Sequence, residues 1–510
     1  MLKLKNTYFN DNTGILLFSV SIICILIRFF MLSNQSLWFD EGATLYLTDN
    51  LNLTDNITNL LTTKASDHFQ PLYYLIMPYW RFIFGDSEFA LRSFSALLGS
   101  ATVIILSLTA LRVYGKTHAL WTTLLAAFSA FGVFYSQDAR PYALLIFCTA
   151  FQIYFFTSAM LDKHDKVSRW GFWITTMIGL FGNIFIGIFT AGLSISHFII
   201  YRNWKNWLRW WIPASLFTLP SILFYFSSEL STSPTLFHTT RYGFPIIQNV
   251  LFVLSGILVG QTYGPPINSL HTYYRWTVVF NYLPELFILL IAGFIIAVLL
   301  VKINTKKSEN QPHSQFFFSL LLISFVLALL FALATNLNWL PRHSFYLWPP
   351  LVLLIPTICR SRNKRYFFAK AVLTILIFLN IYSLYNYFFN ESYRKDDYRA
   401  VAQYTISQSE PDNASVIVAG FRRLLVNYGD TKTLDCTGIK GKHLAKEISK
   451  LTQNSRTVLV IVNNVFFWQT MEKTTVEKAM SELYVLDSTF QFPNMIVYHF
   501  NRKLPTINDF

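Results

Sequence analysis

Charge is what this sequence has least of. Of its 510 residues only 13% are Asp, Glu, Lys or Arg and 53% are hydrophobic, whereas ordinary soluble domains carry roughly 25% charged residues. The shortfall lies in long uncharged blocks, which excludes a soluble protein of this size. Acids are scarcer than bases, 27 against 41, for a formal balance of +14. In a chain built of apolar blocks such a surplus reports topology and membrane-lipid contact, not nucleic acid. Cysteine is nearly absent too. Cys24, Cys148 and Cys359 lie in apolar blocks and leave Cys436 without an obvious partner, so no disulfide framework is expected. No cleavable leader is expected either: the first apolar block, residues 14–32, has no small-residue cleavage site and reads as a retained span. No repeat of fixed period is visible.

What is present is a series of blocks close to the ~20 apolar residues that a helix needs to cross a bilayer. They cover residues 14–32, 89–111, 119–135, 141–160, 207–228, 283–301, 316–335, 343–359 and 371–389. Two further blocks are ambiguous, 172–201 and 244–260. Basic turns at Lys3/Lys5, Arg112/Lys116, Lys163/Lys166/Arg169, Arg202/Lys205/Arg209, Lys302/Lys306/Lys307 and Arg360/Arg362/Lys364/Arg365 mark cytoplasmic loops. Residues 172–201 run 30 positions without a charge between two such turns, so they should cross twice, turning near Gly182, Asn183 and Gly187. Block 244–260 should lie in the interface or re-enter, because a crossing there would put Lys302, Lys306 and Lys307 outside. The expectation is a polytopic α-helical membrane protein of about 11 transmembrane helices in residues 1–390, with a cytoplasmic N-terminus. A long external loop spans 33–88. Residues 391–510 are charged and alternating, with strands at 414–419, 457–462 and 495–499 and helices at 397–409 and 469–484, and should form a small extracytoplasmic α/β domain.

Charged groups at the membrane edge are costly and are functional candidates by default. Asp40 and Glu41 follow the first span, and such an acidic pair can divide proton acceptance and substrate orientation. The structural alternative is an acidic helix start favoured by the dipole. Gln137, Asp138, Arg140 and Tyr142 crowd the shortest external loop, where an Arg can grip phosphate with two parallel bonds. The alternative there is an Asp138–Arg140 ion pair closing the turn. Arg342 and His343 sit at another external span edge and offer a second cation. His68 and Tyr74 return the first loop to the membrane. Arg28 and Arg92 lie inside spans near their external ends, where snorkelling would also account for them. Acids and arginines therefore gather on one face at head-group depth, which suits an amphiphilic donor: isoprenoid in the bilayer, phosphate at its edge, sugar outside. Arginines would stabilise charge on the leaving phosphate, and a carboxylate would deprotonate the acceptor hydroxyl. A divalent cation (Mg or Mn) is compatible with two carboxylates and would fall to Asp40 and Asp138; the residues leave metal dependence open.

Ser36-Leu-Trp-Phe-Asp40-Glu41, His68-x-x-Pro71-Leu-Tyr-Tyr74, Glu88-Phe-Ala-Leu-Arg92, Tyr135-Ser-Gln-Asp138-Ala-Arg140-Pro-Tyr142 and Pro341-Arg342-His343 occur in this order. The sequence resembles the bacterial and archaeal protein mannosyltransferase and aminoarabinose transferase group (glycosyltransferase family 39-like) of the GT-C superfamily. The tail from Asp396 is similar to the extracytoplasmic domain of such members. The resemblance implies a multi-pass plasma (inner) membrane enzyme of the cell envelope that moves a hexosyl or pentosyl group from a polyprenyl-phosphate sugar donor. The acceptor would be a lipid, a glycan or a protein. It further implies Asp40 as the catalytic carboxylate with Glu41 beside it, Asp138 positioning acceptor or metal, and Arg140 and Arg342 on the donor phosphate. Asp138 stands where many relatives have Glu, and His343 where Tyr is commoner. A lipid-linked-sugar transporter or flippase would instead spread ionisable groups through the bundle and show inverted repeats, and a mere anchor would not need eleven spans.

Overall fold

The computed structural model describes every residue except 1–11, 63–69, 163, 232–245, 267–278, 305–310, 336, 338, 361–364, 438–443, 453–454, 464–472 and 504–510. His68 lies outside the described residues. The first helix, α1 (Asn12–Phe29), shows how the bundle is made. Leu17, Val20, Cys24 and Arg28, spaced three and four apart, are buried, while Ile15, Leu16, Phe18, Ile22 and Leu26 are exposed. A helix apolar on both faces is not stable facing water, so the outer face reads as lipid-facing.

The first loop is not extended. It forms α2 (Phe39–Leu47), α3 (Leu53–Thr62) and α4 (Pro71–Phe84). Arg81 of α4 clips Asp49 and Asp86 at 3.1 and 2.6 Å. Next come α5 (Glu88–Tyr114), α6 (Lys116–Ala127), α7 (Ala130–Ser136) and α8 (Tyr142–Leu161). The expected single span 119–135 is broken: α6 and α7 meet at a bend of 57°. The break has two causes. Ser129 Oγ accepts from Gly132 N at 3.2 Å and starts a new helix, a favoured N-cap role. Arg28 then donates to the freed carbonyls of Ala126 and Ala127 at 3.1 and 3.4 Å. Arg28 is fully buried, so the snorkelling alternative does not hold for it.

Residues 172–201 form two helices as expected, α9 (Lys166–Gly182) and α10 (Ile186–Tyr201), separated by three residues at Asn183. Then follow α11 (Trp204–Ser231), α12 (Ile246–Val259), α13 (Leu283–Asn304) and α14 (Gln311–Ala334). With 14 residues, α12 reaches about 21 Å at 1.5 Å per residue, short of the ~30 Å hydrocarbon core. The expected span 343–359 is not one continuous helix. It splits into a 3-10 segment Pro341–Leu347, α15 (Trp348–Leu354) and a second 3-10 segment Ile355–Arg360. Pro349, Pro350 and Pro356 remove the amide donors a continuous helix would use there. The bundle closes with α16 (Arg365–Phe389). Among the described residues five helices are long and apolar enough to cross a membrane, or six if α6 and α7 count as one span.

After the bundle, α17 (Tyr398–Ser407), β1 (Asn413–Ala419), α18 (Arg422–Asn427), β2 (Leu434–Asp435), α19 (Leu444–Leu451), β3 (Thr457–Asn463), α20 (Lys473–Met480), β4 (Tyr484–Phe492) and β5 (Met495–Arg502) build a five-stranded sheet. Its order is β2-β1-β3-β5-β4. β1 runs parallel to β2 and β3, and β5 antiparallel to β3 and β4. The three expected strands are present. The expected helix 469–484 is confined to α20 in its described part, and β4, most of whose residues are exposed, was not foreseen. Period-two alternation divides the sheet's faces. Val416, Val418, Val458, Val460 and Ile496 pack under α19 and α20, whereas Ile417, Leu459, Ile461 and Val497 join Tyr398, Leu424 and the bundle core. A one-residue slip would exchange the two faces, so this register docks the sheet on the membrane helices.

Candidate active site

The end of the bundle under the sheet gathers the acids and cations that the sequence singles out. α2 starts at Trp38, and its N3 residue Glu41 folds back to accept from Trp38 N at 3.3 Å, the reciprocal half of a capping box. The same carboxylate is clamped by Arg92, Nε to Oε1 at 2.8 Å and Nη2 to Oε2 at 2.6 Å. It also accepts from Ala139 N at 2.9 Å. Glu41 is 0% exposed. Burial pushes its carboxyl up, but Arg92, Lys395 and these bonds outweigh burial and hold it at about 2. Arg92 spends its remaining donors on the carbonyls of Leu32, Gln35 and Ser36, so it anchors the first loop and does not snorkel.

Asp138 is similarly enclosed. Its Oδ1 accepts from Trp38 Nε1 at 2.8 Å and from Lys395 Nζ at 3.1 Å. The ion pair Asp138–Arg140, the structural alternative for this turn, is not among those of the described residues; Asp138 pairs with Lys395 instead. Burial raises the Asp138 carboxyl, with Lys395 pulling against it, and the buried ammonium and carboxylate neutralise each other. Arg140, buried, donates from Nη1 to the main-chain oxygen of Asp40 at 2.9 Å.

Asp40 differs from both. Its side chain is 22% exposed and meets Arg342, 33% exposed, through Nη1 to Oδ2 at 2.9 Å. Burial lowers the Arg342 guanidinium, but Tyr142, the Asp40 carboxylate and Tyr135 together raise it, and the rings of Tyr135 and Tyr142 lie 5.0 Å apart. Asp40, Arg140 and Arg342 thus converge from α2, the 137–141 turn and the 3-10 segment Pro341–Leu347.

Other candidates play supporting parts. Gln137 Nε2 donates to the carbonyls of Ile27, Arg28 and Phe30 at 3.2, 3.0 and 2.8 Å. It closes the end of α1, while Arg28 of α1 serves the end of α6. His343 Nδ1 accepts from Leu340 N at 3.2 Å and the ring packs 5.4 Å from Phe185, which orients the segment bearing Arg342. Tyr74 is buried edge-on to Tyr73 at 5.6 Å.

Two residues here were not singled out by sequence reasoning. Lys395 reaches Asp138, and Asp396 Oδ2 accepts from Phe39 N at 3.3 Å and from Asn463 Nδ2 at 2.8 Å. The available signal was a Lys-Asp-Asp run immediately after the last span, at the same depth as the other charges. Its reading as solvated tail hid it. No group of three or more His, Cys, Asp or Glu side chains able to hold a metal ion occurs among the described residues. Asp40 and Asp138 already face Arg342 and Lys395, which a divalent ion bound to both would have to displace.

Residues 68–230 match the family described as dolichyl-phosphate-mannose-protein mannosyltransferase. No curated protein matches the chain by sequence. By architecture the chain is similar to ArnT from Cupriavidus metallidurans bound to undecaprenyl phosphate, with a TM-score of 0.58, 12% identity, and coverage of 96% of this chain and 98% of that one. The apo state of ArnT matches with a TM-score of 0.51, again at 12% identity, covering 95% and 97%. Over residues 68–230 the chain is thus similar to that mannosyltransferase family, and over nearly its whole length its fold is similar to that of ArnT.

Proposed function

We propose that the chain is an integral-membrane glycosyltransferase that moves a sugar from a polyprenyl-phosphate donor to a hydroxyl acceptor on the non-cytoplasmic face. The observation that carries this reading is the division of labour among three carboxylates. Glu41 and Asp138 are sealed and neutralised by Arg92 and Lys395, whereas Asp40 stays partly exposed against a partly exposed arginine. A phosphate oxygen competes with Asp40 for Arg342, because a guanidinium grips phosphate as readily as carboxylate. Donor arrival then draws Arg342 to the phosphate and frees Asp40. The Asp40 carboxylate takes the proton of the acceptor hydroxyl, and the acceptor oxygen bonds to the sugar's anomeric carbon. The bond from that carbon to the phosphate oxygen breaks, and its electron pair leaves on the phosphate, where Arg342 balances the charge.

The ArnT structure with undecaprenyl phosphate supports a lipid-phosphate donor through the shared fold. The basic turns support an eleven-crossing plasma-membrane topology with the C-terminal domain outside. The test is sugar transfer by purified wild type and Asp40→Asn, using lipid-linked sugars extracted from native membranes. Loss of a general base lowers turnover by about 10²–10⁴, and undecaprenyl phosphate should still bind. An Asp40→Asn protein with near-normal turnover would sink the base assignment. A wild type that moves lipid-linked sugar across vesicles without cleaving it would replace the transferase by a flippase.

A further inference from the structure

We infer that Lys395 and Asp396, at the entry to the C-terminal domain, are positioning residues that clamp the start of α2 and so aim Asp40; this rests on the transferase reading of the site. The two neighbours grip opposite sides of one short stretch. Lys395 Nζ holds Asp138 at 3.1 Å and stands 4.0 Å from Glu41 Oε1. Asp138 in turn holds the indole of Trp38 at 2.8 Å, and the ammonium lies 5.3 Å from the Trp38 ring centroid. Asp396 accepts the amide of Phe39, the residue immediately before Asp40, and is tied to the sheet through Asn463 of β3.

Their surroundings show that this is a built joint. The Lys395 amide donates to Gln35 Oε1 at 3.0 Å, and Leu37 N donates to Tyr428 Oη at 2.7 Å, so the strap 35–39 is held along its length by the C-terminal domain. At Gly42, one turn into α2, a Cβ would come within 2.8 Å of Phe421 and 3.0 Å of Leu424. The C-terminal domain therefore closes on α2 itself. Without Lys395, Asp138 would lose its ion-pair partner beside the buried Glu41–Arg92 pair, and the Trp38 anchor would lose its fixed acceptor. A displacement of about 1 Å at reacting groups costs on the order of 10²-fold in rate, so a clamp of this kind governs turnover without touching substrate.

The test uses the full chain in nanodiscs and compares wild type, Lys395→Met, Lys395→Arg and Asp396→Asn. Hydrogen–deuterium exchange reads the amides of residues 38–41, and undecaprenyl phosphate is the binding probe. Turnover is measured on lipid-linked sugars extracted from native membranes. Lys395→Met should exchange about tenfold faster over 38–41, a local loosening, while the long bundle helices stay protected. Its turnover should fall with undecaprenyl phosphate affinity unchanged, and Lys395→Arg should restore both exchange and turnover. Asp396→Asn should loosen the Phe39 amide alone. If Lys395→Met does not fold, rescue by Lys395→Arg and the local effect of Asp396→Asn decide the matter. Wild-type exchange at 38–41 in both Lys395→Met and Asp396→Asn overturns the inference, as does slow turnover in a Lys395→Arg protein of normal melting temperature. A wild type that exchanges as described yet transfers no sugar overturns the transferase reading and leaves the clamp standing.

Discussion

Arg342 donates to Asp40 at 2.9 Å across 302 residues of sequence, and the two form a partly exposed ion pair. Both side chains keep contact with solvent, 33% and 22%, so the pair opens more readily than a fully buried one. Arg92 with Glu41 has the opposite character, buried at 2.6 Å. The site therefore holds one ion pair able to exchange partners and one built to stay closed.

The two arginines facing Asp40 should respond differently to the same substitution. Arg342→Lys keeps charge but loses the planar fork, and a charge-assisted bond is worth about 1.5–3 kcal/mol. Undecaprenyl phosphate affinity should drop on the order of 10- to 100-fold with the melting temperature unchanged. Arg140 is buried and holds the main-chain oxygen of Asp40, so Arg140→Lys should also lower the melting temperature. Titration of both variants by calorimetry, with thermal unfolding on the same samples, checks the contrast.

Breaking the closed pair should be a stability defect first. Arg92→Leu leaves Glu41 buried without its bidentate partner, and loss of one member of a buried pair costs about 3–5 kcal/mol. The variant should express poorly or melt well below wild type. Adding Glu41→Gln should recover part of the loss, because an amide is far cheaper to bury than a charge. Equal melting temperatures for Arg92→Leu and wild type would contradict this assignment.

Acid should act on Glu41 and Asp396 with opposite signs. The Glu41 carboxyl is held at about 2 in the folded chain, below its unfolded value of about 4.3. Its contribution is present above that unfolded value and is lost as pH falls toward about 2. Burial raises Asp396 to about 6, against the bonds from Asn463 and Phe39, while its unfolded value is about 3.9. The folded state therefore binds the extra proton, and this group's contribution declines as pH rises from about 4 to about 6. Asp396→Asn should abolish that decline. Melting temperatures of both proteins at intervals from pH 4 to 7 give the comparison, and parallel curves would refute it.

Gly42 tests the contact between the two parts of the chain. Gly42→Ala drives a methyl toward Phe421 and Leu424, and overpacking of this kind costs about 1–3 kcal/mol. Phe421→Leu should relieve part of it. Limited proteolysis in the 391–397 segment should speed up in Gly42→Ala and slow again in the double variant.

The sequence by itself determined a good deal. Low charge in long blocks dictates a helical membrane bundle, because no unpaired backbone survives in lipid. Gly182 and Asn183 between basic turns betrayed the α9–α10 hairpin, and period-two apolar residues exposed β1, β3 and β5. Prolines broke the 343–359 block, and Ser129 broke the 119–135 block where Arg28 serves the freed carbonyls of Ala126 and Ala127, a partner that is invisible in a linear window. Which carboxylate is available was decided only by tertiary structure. Asp40 and Glu41 are neighbours of equal chemistry, but one residue of helix turns a side chain by about 100°. That rotation sends Glu41 inward onto Arg92 and leaves Asp40 facing Arg342. Lys395 reaches Asp138 across 257 residues, a pairing that local periodicity does not encode, because it exists only once the sheet has docked on the bundle.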